Sequence, residues 1–108
     1  MSFAVKLTDD AARDLAELYD YIEQNDAPDK ADYVLEKIEE LFFSLSEMPE
    51  RGSYPNELLV LGIRNYREVY FKPYRIIYQV IGEIVYVLLI ADGRREMQSL
   101  LERRLVLG

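Results

Sequence analysis

The sequence predicts a single α+β domain over residues 1–108, with one antiparallel-rich sheet covered on one face by two N-terminal helices. Two observations indicate this fold class. Apolar residues recur at helical spacing through residues 9–45. Residues 67–90 are instead rich in β-branched and aromatic side chains, which favour strands. The predicted order is strand, helix, helix, strand, strand, strand, helix, and a chain of 108 residues leaves little room for a second domain.

The N-terminal half begins with a short strand and continues as a helical hairpin. Alternating residue types over 3–7 predict the strand. Thr8 is suited to capping a helix over about residues 9–25. The segment 25–28 breaks that helix, and an apolar stripe from Ala31 to Leu45 predicts a second one. The short connection predicts that the two helices pack antiparallel.

The C-terminal half is predicted to form an antiparallel meander and a last helix. Residues 49–62 contain two prolines and two glycines and predict a loop. Gly82 and Glu83 separate the second and third meander strands and suit a type II′ hairpin turn. A further apolar stripe predicts a helix over about residues 94–105. The three meander strands are residues 67–71, 74–80 and 84–90.

Composition excludes several function classes. The sequence has no cysteine and no histidine, so a disulfide framework, a thiolate nucleophile and the commonest general base are all missing. We therefore expect no metal site and no cofactor, and any catalysis must use carboxylates, tyrosines, arginines or lysines. The N-terminus lacks the apolar core of a signal peptide, and no apolar run approaches transmembrane length. These features predict a cytoplasmic protein without a membrane partner.

Charge is divided unevenly along the chain, whose net charge is -7. Residues 1–50 hold 14 acids and 4 bases, a balance of -10, and residues 51–108 hold 6 acids and 9 bases, a balance of +3. An acidic half and a basic half can present two different faces to partners. The simpler interpretation, which we favour for most of the acids, is that they coat exposed helix surfaces.

Arginines in the basic half are the first candidates for a functional site. They can converge at one edge or face of the meander and bind phosphate or carboxylate through forked contacts. Arg75 stands out, because it lies between Tyr74 and Ile76 in an apolar strand, where a charge needs a partner or a purpose. Alternatively, each arginine pairs with an acid such as Glu68, Asp92 or Glu96. The four candidate arginines are Arg67, Arg75, Arg94 and Arg95.

The pair Arg94 and Arg95 falls at the predicted start of the last helix. A helix N-terminus carries partial positive charge and favours acids, so two arginines there suggest a recognition surface that costs under about 1 kcal/mol. Aromatic rings beside arginines can also stack on unpaired bases. We favour simple packing for Tyr78 and Tyr86 and leave both interpretations open for three other tyrosines. Those three are Tyr66, Tyr70 and Tyr74.

Four segments together resemble the RelE/ParE superfamily of toxins from type II toxin–antitoxin systems. They are YREVYFKPYRIIYQV, the GE turn, VYVLLIADGRR and SLLERRL, and the resemblance covers nearly the whole chain. It implies that Arg75 and Arg95 match two catalytic arginines of RelE-like toxins, which cut messenger RNA on the ribosome. Leu101 falls where those toxins carry a catalytic tyrosine, and the histidine of other ribonuclease branches is missing. ParE-like members instead poison DNA gyrase and are not nucleases.

The resemblance thus favours a non-enzymatic, ParE-like toxin of a plasmid-stabilisation system that inhibits DNA gyrase. Two alternatives stay open: a ribosome-dependent mRNA endoribonuclease and a non-toxic binding module on the same fold. The resemblance also implies a cognate antitoxin that folds onto the toxin and forms a hetero-oligomer with it. Leucines of the predicted loop and of the last helix are candidate docking residues, unless all of them belong to the core. These leucines are Leu58, Leu59, Leu61, Leu100 and Leu101.

Overall fold

The computed structural model describes residues 2–107 and confirms the predicted α+β class. Its strands form one four-stranded sheet in the order β1-β4-β3-β2. Strand β1 runs parallel to β4, and the other neighbours are antiparallel. The strands are β1 (Ala4–Leu7), β2 (Arg67–Phe71), β3 (Tyr74–Ile81) and β4 (Ile84–Asp92). The α-helices are α1 (Asp9–Asn25), α2 (Pro28–Ser44), α3 (Asn56–Leu59) and α4 (Met97–Leu101), and a π-helical turn (Glu102–Val106) follows α4.

Local sequence signals explain where the hairpin helices begin. The Thr8 hydroxyl accepts a hydrogen bond from the Ala11 backbone N–H at 3.1 Å, which satisfies one of the free N–H groups at the start of α1. Pro28 opens α2, where its missing N–H costs nothing. The turn between β3 and β4 places Gly82 at a φ of +61°, the positive value that a type II′ turn requires at its first central position.

The sheet packs against helices on both faces, whereas the sequence predicted a covering on one face. Under the α1–α2 hairpin lies the larger core, with Ile38, Phe42 and Tyr78 all buried. On the opposite face, Ile77 and Leu89 pack against residues from α3 and α4. Segment 49–62, predicted as a loop, therefore supplies a short helix that anchors the chain to the second face.

The last helix differs from the prediction in its start and in its type. It begins at Met97, three residues later than expected, and becomes π-helical from Glu102. The Glu96 carboxylate caps α4 by accepting from the Ser99 N–H at 2.8 Å. An acid thus occupies the N-cap, where the helix dipole favours it. The expected conflict between the Arg94–Arg95 pair and a helix start is wrong, because both arginines lie in the turn that precedes the helix.

None of the helices within residues 2–107 combines the length and the apolar character that crossing a membrane requires.

Candidate functional site

Arg75 lies at the centre of a buried ionic cluster on the second face of the sheet. Its Nε donates to Glu68 Oε1 at 2.7 Å, and its two terminal nitrogens donate to the carboxylate oxygens of Glu57 at 2.8 Å each. The Tyr70 hydroxyl donates to the second oxygen of Glu68 at 2.7 Å. Glu68 and Arg75 are only 3% and 8% exposed. We call Glu57, Glu68, Tyr70 and Arg75 the Arg75 cluster.

The cluster is assembled from three elements. In the β2–β3 ladder, Tyr70 pairs with Arg75 and Glu68 pairs with Ile77, so Glu68, Tyr70 and Arg75 share one face of the sheet. Glu57 reaches the same point from α3, which is 18 residues away from Arg75 along the chain. The cluster therefore fastens α3 to the sheet.

Contacts within the cluster favour the charged forms of Glu57 and Arg75 and the neutral form of Tyr70. The hydrogen bonds from Arg75 hold the pKa of the Glu57 carboxyl below its ordinary value. The bonds to Glu57 and then to Glu68 raise the pKa of Arg75. Burial, followed by the neighbouring Glu68 carboxylate, raises the pKa of the Tyr70 hydroxyl to about 12. Two carboxylates and one guanidinium leave the cluster with a net charge of -1 at neutral pH.

A cleft of about 400 Å³ opens above the cluster and reaches Arg94. Gly93 forms part of its wall. A Cβ at this position would lie 2.8 Å from Arg75 Cδ and 3.0 Å from the Pro73 carbonyl oxygen. Only glycine permits so close an approach of the backbone to the arginine side chain. Lys72 and Asn56 complete the rim.

Arg94 and Arg95 differ from Arg75 in exposure and in pairing. Arg94 is bound by Asp92, with Nη2 at 2.6 Å from Oδ2, and its side chain is 76% exposed. This contact raises the pKa of Arg94 and holds the pKa of Asp92 below its ordinary value. Arg95 is exposed, and within residues 2–107 its side chain forms no ion pair. We call residues 93–96 the Arg94–Arg95 turn.

The four candidate arginines do not converge on one point. Arg75 and Arg94 border the same cleft. Arg67 lies elsewhere: it donates to the Gly52 carbonyl at 2.8 Å, and its guanidinium lies 4.6 Å from the centre of the Tyr54 ring. These contacts of Arg67 hold the loop before α3, and they involve no residue of the Arg75 cluster.

The tyrosines of the meander have mainly structural contacts. Tyr78 is fully buried, and its hydroxyl accepts the Gly52 N–H at 3.0 Å. Tyr74 is buried beneath the helical hairpin, and burial raises the pKa of its hydroxyl. Tyr66 packs against the second core, whereas Tyr70 is exposed at its ring and bound to Glu68. These rings do not form a continuous stacking platform.

The candidate docking leucines divide into buried and accessible residues. Leu58, Leu100 and Leu101 are buried in the second core, so in this conformation their side chains are not available to a partner. The reason is the second helical layer, which the sequence did not predict. Leu59 is half-buried and Leu61 is exposed, so these two remain candidates for docking.

Sequence reasoning missed a second ionic contact, which joins the C-terminal turn to α1. Arg104 binds both carboxylate oxygens of Asp14 at 3.0 Å and also donates to the Leu88 carbonyl at 3.0 Å. Asp14 in turn accepts the Ile90 N–H at 3.0 Å. Strand β1 pairs with β4 only as far as Val87, and Asp14 and Arg104 bind backbone groups of β4 beyond that point. No sequence pattern indicated this pair, whose members are 90 residues apart.

Comparison with known proteins identifies the chain at the level of family and fold. Residues 5–97 match the family model described as ParE toxin of type II toxin–antitoxin system, parDE. No curated protein matches the sequence. A chain of the chromosomal ParDE toxin–antitoxin system from P. aeruginosa is 24% identical, with a TM-score of 0.70 over 84% of this chain and 96% of that chain.

Two further structures share the fold at lower identity. A chain of the RelBE2 toxin–antitoxin complex from Mycobacterium tuberculosis is 22% identical, with a TM-score of 0.59 over 85% of this chain and 92% of that one. A double arginine mutant of the E. coli toxin RelE in the free state is 17% identical, with a TM-score of 0.64 over 97% of this chain and 100% of that one. The family match, together with the α+β fold, shows that this chain belongs to the ParE family of type II toxin–antitoxin toxins.

Proposed function

We propose that this toxin inhibits DNA gyrase without cutting nucleic acid, and that a cognate antitoxin neutralises it in the cytoplasm. The observation that carries the proposal is the state of Arg75. Its guanidinium uses three N–H groups on two carboxylates, inside a cluster of net negative charge. A phosphate at the floor of the cleft would meet Glu57 and Glu68, which already bind Arg75 and repel an anion, so the cations left for it are Lys72 and Arg94 on the rim. Arg75 is therefore a structural group and a poor candidate for binding a scissile phosphate.

The tyrosine and the histidine that RNA-cleaving relatives use are also missing from this chain, which has Leu101 at the position where the resemblance implies the tyrosine. Leu101 is fully buried in the second core, and the sequence has no histidine. Arginine stays protonated and is a poor general base. Tyr70, which borders the cleft, holds its proton firmly because its pKa is about 12. These features support binding of a protein target over proton-transfer chemistry.

The Arg94–Arg95 turn is the part of the proposed target surface that is accessible. Arg94 is held in place by Asp92, whereas Arg95 is exposed and forms no ion pair within residues 2–107. A fixed arginine beside a free one suits recognition of an acidic patch on a protein. We propose that Arg94 and Arg95 contact gyrase, while Arg67 and Arg75 support the fold around them.

An antitoxin partner is supported by the fold relatives, since the ParDE and RelBE2 structures come from toxin–antitoxin systems. We propose that Leu59 and Leu61 contribute to the antitoxin-docking surface, because they are the accessible members of the leucine set. The control variant is Leu58→Ala, which should lower stability because Leu58 is fully buried. Leu61→Asp should weaken antitoxin binding without changing the unfolding midpoint.

A gyrase cleavage assay tests the proposed target directly. Purified protein is mixed with gyrase, supercoiled plasmid and ATP, and the DNA is analysed after detergent and protease treatment. We expect linear DNA with the wild-type protein and none with the Arg94→Ala/Arg95→Ala variant. Arg64→Ala is the matched control, because Arg64 is also exposed but borders a different cleft, near Arg67.

Other outcomes would identify one of the alternatives. If folded wild-type protein in large excess yields no linear DNA, the protein does not poison gyrase by trapping double-strand breaks. Cleaved messenger RNA in a reaction with ribosomes would then assign the toxin to the endoribonuclease class. Absence of both effects, together with unchanged growth on induction without antitoxin, would identify a non-toxic binding module.

A further inference from the structure

A second cleft, of about 260 Å³, lies beside Arg67, where the loop before α3 and the loop after it meet strands β2 and β3. It shares no residue with the cleft above the Arg75 cluster. Most of its lining is polar or charged, and we call it the Arg64–Arg67 cleft. Its polar residues include Glu50, Tyr54, Arg64, Asn65, Arg67 and Gln79.

Arg67 is a partly buried arginine for which the fold supplies no carboxylate. The other two arginines that the fold shields from solvent, Arg75 and Arg104, are each bound by carboxylates. Within residues 2–107, the guanidinium of Arg67 forms hydrogen bonds but no ion pair. Removing a charge from water without a counter-ion is costly. An anion from outside the chain would therefore satisfy a charge that the protein leaves unmatched.

Contacts with the protein hold the guanidinium of Arg67 in place and leave part of its edge free. Nη1 donates to the Gly52 carbonyl at 2.8 Å and to the Glu50 carbonyl at 3.4 Å, and Nη2 donates to the Tyr54 hydroxyl at 3.3 Å. The Tyr54 ring, 4.6 Å away, covers one face of the guanidinium. The Nε–H and one N–H of Nη2 have no acceptor among the residues that the structure describes. A guanidinium that is already held in this way loses little conformational freedom when an oxyanion binds.

The charges around the cleft favour a ligand with a single negative charge. Arg64 is exposed and, within residues 2–107, forms no ion pair, and Glu50 supplies a carboxylate to the same lining. Two guanidiniums and one carboxylate give a local charge of +1. A carboxylate carries one negative charge at neutral pH, and its two oxygens match the forked N–H groups of arginine. A nucleic acid instead needs a row of cations along its phosphates, which this pair of arginines on a chain of net charge -7 does not supply.

We propose that the Arg64–Arg67 cleft is a carboxylate-binding site, in which Arg67 is the fixed donor and Arg64 binds from the solvent side. The side-chain amides of Asn65 and Gln79 line the same cleft and can donate to the ligand. The carboxylate belongs either to a free small acid or to an acidic side chain of a partner protein, since both offer the same two oxygens. The site is independent of the proposed gyrase contact, because the Arg94–Arg95 turn does not border this cleft.

An NMR titration of the isotope-labelled full chain with sodium acetate tests the site, with sodium chloride at equal concentration as the control for ionic strength. We expect saturable shifts of the Arg67 Nε–H resonance and of the Asn65 and Gln79 amide resonances. The dissociation constant should be on the order of 10 mM, because a ligand as small as acetate makes few contacts. The Nε–H resonance of Arg103, an exposed arginine at another cleft, should not shift. Shifts that do not saturate, or that chloride reproduces, would overturn the proposal.

Two variants should shift the affinity for acetate in opposite directions, which loss of structure cannot imitate. Glu50→Gln removes the carboxylate beside the arginines and should strengthen acetate binding by about two- to fivefold, whereas Arg64→Ala should weaken it by about the same factor. Glu36→Gln and Arg103→Ala are the matched controls, because both residues are exposed and lie outside the cleft. The proposal is wrong if Glu50→Gln and Arg64→Ala bind acetate as the wild type does.

A pair of blocked peptides distinguishes the two sources of the carboxylate. One peptide has a single glutamate between two alanines, and its counterpart has glutamine at the same place. If the glutamate peptide binds at least as tightly as acetate and the glutamine peptide does not bind, the site serves an acidic segment of a protein. If acetate binds more tightly than the glutamate peptide, the site serves a free small acid. Equal binding of both peptides would contradict carboxylate recognition, as would a shift of the Arg67 Nε–H by inorganic phosphate or single-stranded RNA but not by acetate.

Discussion

The Arg75 cluster and the Arg94–Arg95 turn border one cleft, yet they use the same side chain in opposite ways. In the cluster, the guanidinium is buried and bound by two carboxylates. In the turn, Arg94 is bound by one carboxylate at the surface, and Arg95 is exposed. The difference teaches that residue type alone does not decide how an arginine is used. The fold decides how many acids reach each guanidinium: two for Arg75, one for Arg94 and none for Arg95 within residues 2–107.

The largest expected effect comes from removing the arginine of the cluster. Arg75→Ala leaves Glu57 and Glu68 without their cation, and breaking a buried ionic group in this way costs about 3–5 kcal/mol in free energy of unfolding. Urea denaturation monitored by circular dichroism measures the loss. If the variant lost less than about 1 kcal/mol, the range of an exposed ion pair, Arg75 would not differ energetically from an arginine of the Arg94–Arg95 turn.

A triple variant tests whether the loss in Arg75→Ala comes from the carboxylates that it leaves unpaired. Replacing all three charged members together, by Glu57→Leu, Glu68→Met and Arg75→Met, should leave stability close to that of the wild type, because apolar packing often substitutes for buried ion pairs without loss. If the triple variant were as unstable as Arg75→Ala, the loss in Arg75→Ala could not be explained by unpaired charge alone, and the contacts within the cluster would themselves stabilise the fold.

Close packing at the boundary between the two regions gives a smaller effect. Gly93→Ala places a methyl group 2.8 Å from Arg75 Cδ, so we expect a loss of about 1–3 kcal/mol from overpacking. A double-mutant cycle with Arg75→Ala checks the cause. The glycine substitution should cost less once the arginine stem is gone, and strictly additive losses would contradict the assigned contact.

Acid should weaken the Arg75 cluster through protonation of Glu57. Because contact with Arg75 lowers the pKa of Glu57 below 4.5 in the folded state, this group stabilises the fold above its unfolded-state pKa. That stability is lost as the pH falls from about 4.5 through the folded-state value. Denaturation midpoints of the wild type and Glu57→Gln, measured between neutral pH and pH 3, test this. The wild type should show the steeper decline, and parallel curves would count against the assignment.

The smallest effect on stability is expected in the turn. Arg94→Ala/Arg95→Ala removes exposed side chains and one surface ion pair, so the free energy of unfolding should stay close to that of the wild type. Thermal unfolding of the double variant beside Arg75→Ala compares the two regions in one experiment. A large loss in the double variant would mean that the turn also supports the fold.

Much of the fold was predictable, because the signals that specify helices and strands are local. The stripe from Ala31 to Leu45, the Thr8 cap and the glycine turn each act over a few residues, and the structure confirms the helical hairpin and the meander. The covering of the second face was not predictable in this way. A four-residue helix such as α3 has too few residues to show a period, and its position depends on Glu57 meeting a strand residue 18 positions later.

For the candidate site, the sequence by itself determined which groups are available: several arginines, no histidine and no cysteine. It also singled out Arg75 as a charge that needs a partner. Only the tertiary structure decided that the partners are Glu57 and Glu68, that Leu101 is core, and that Asp14 binds Arg104. The physical reason is that helical and strand periods are set by neighbouring residues, whereas burial and ion pairing are set by segments that meet only after the chain has folded.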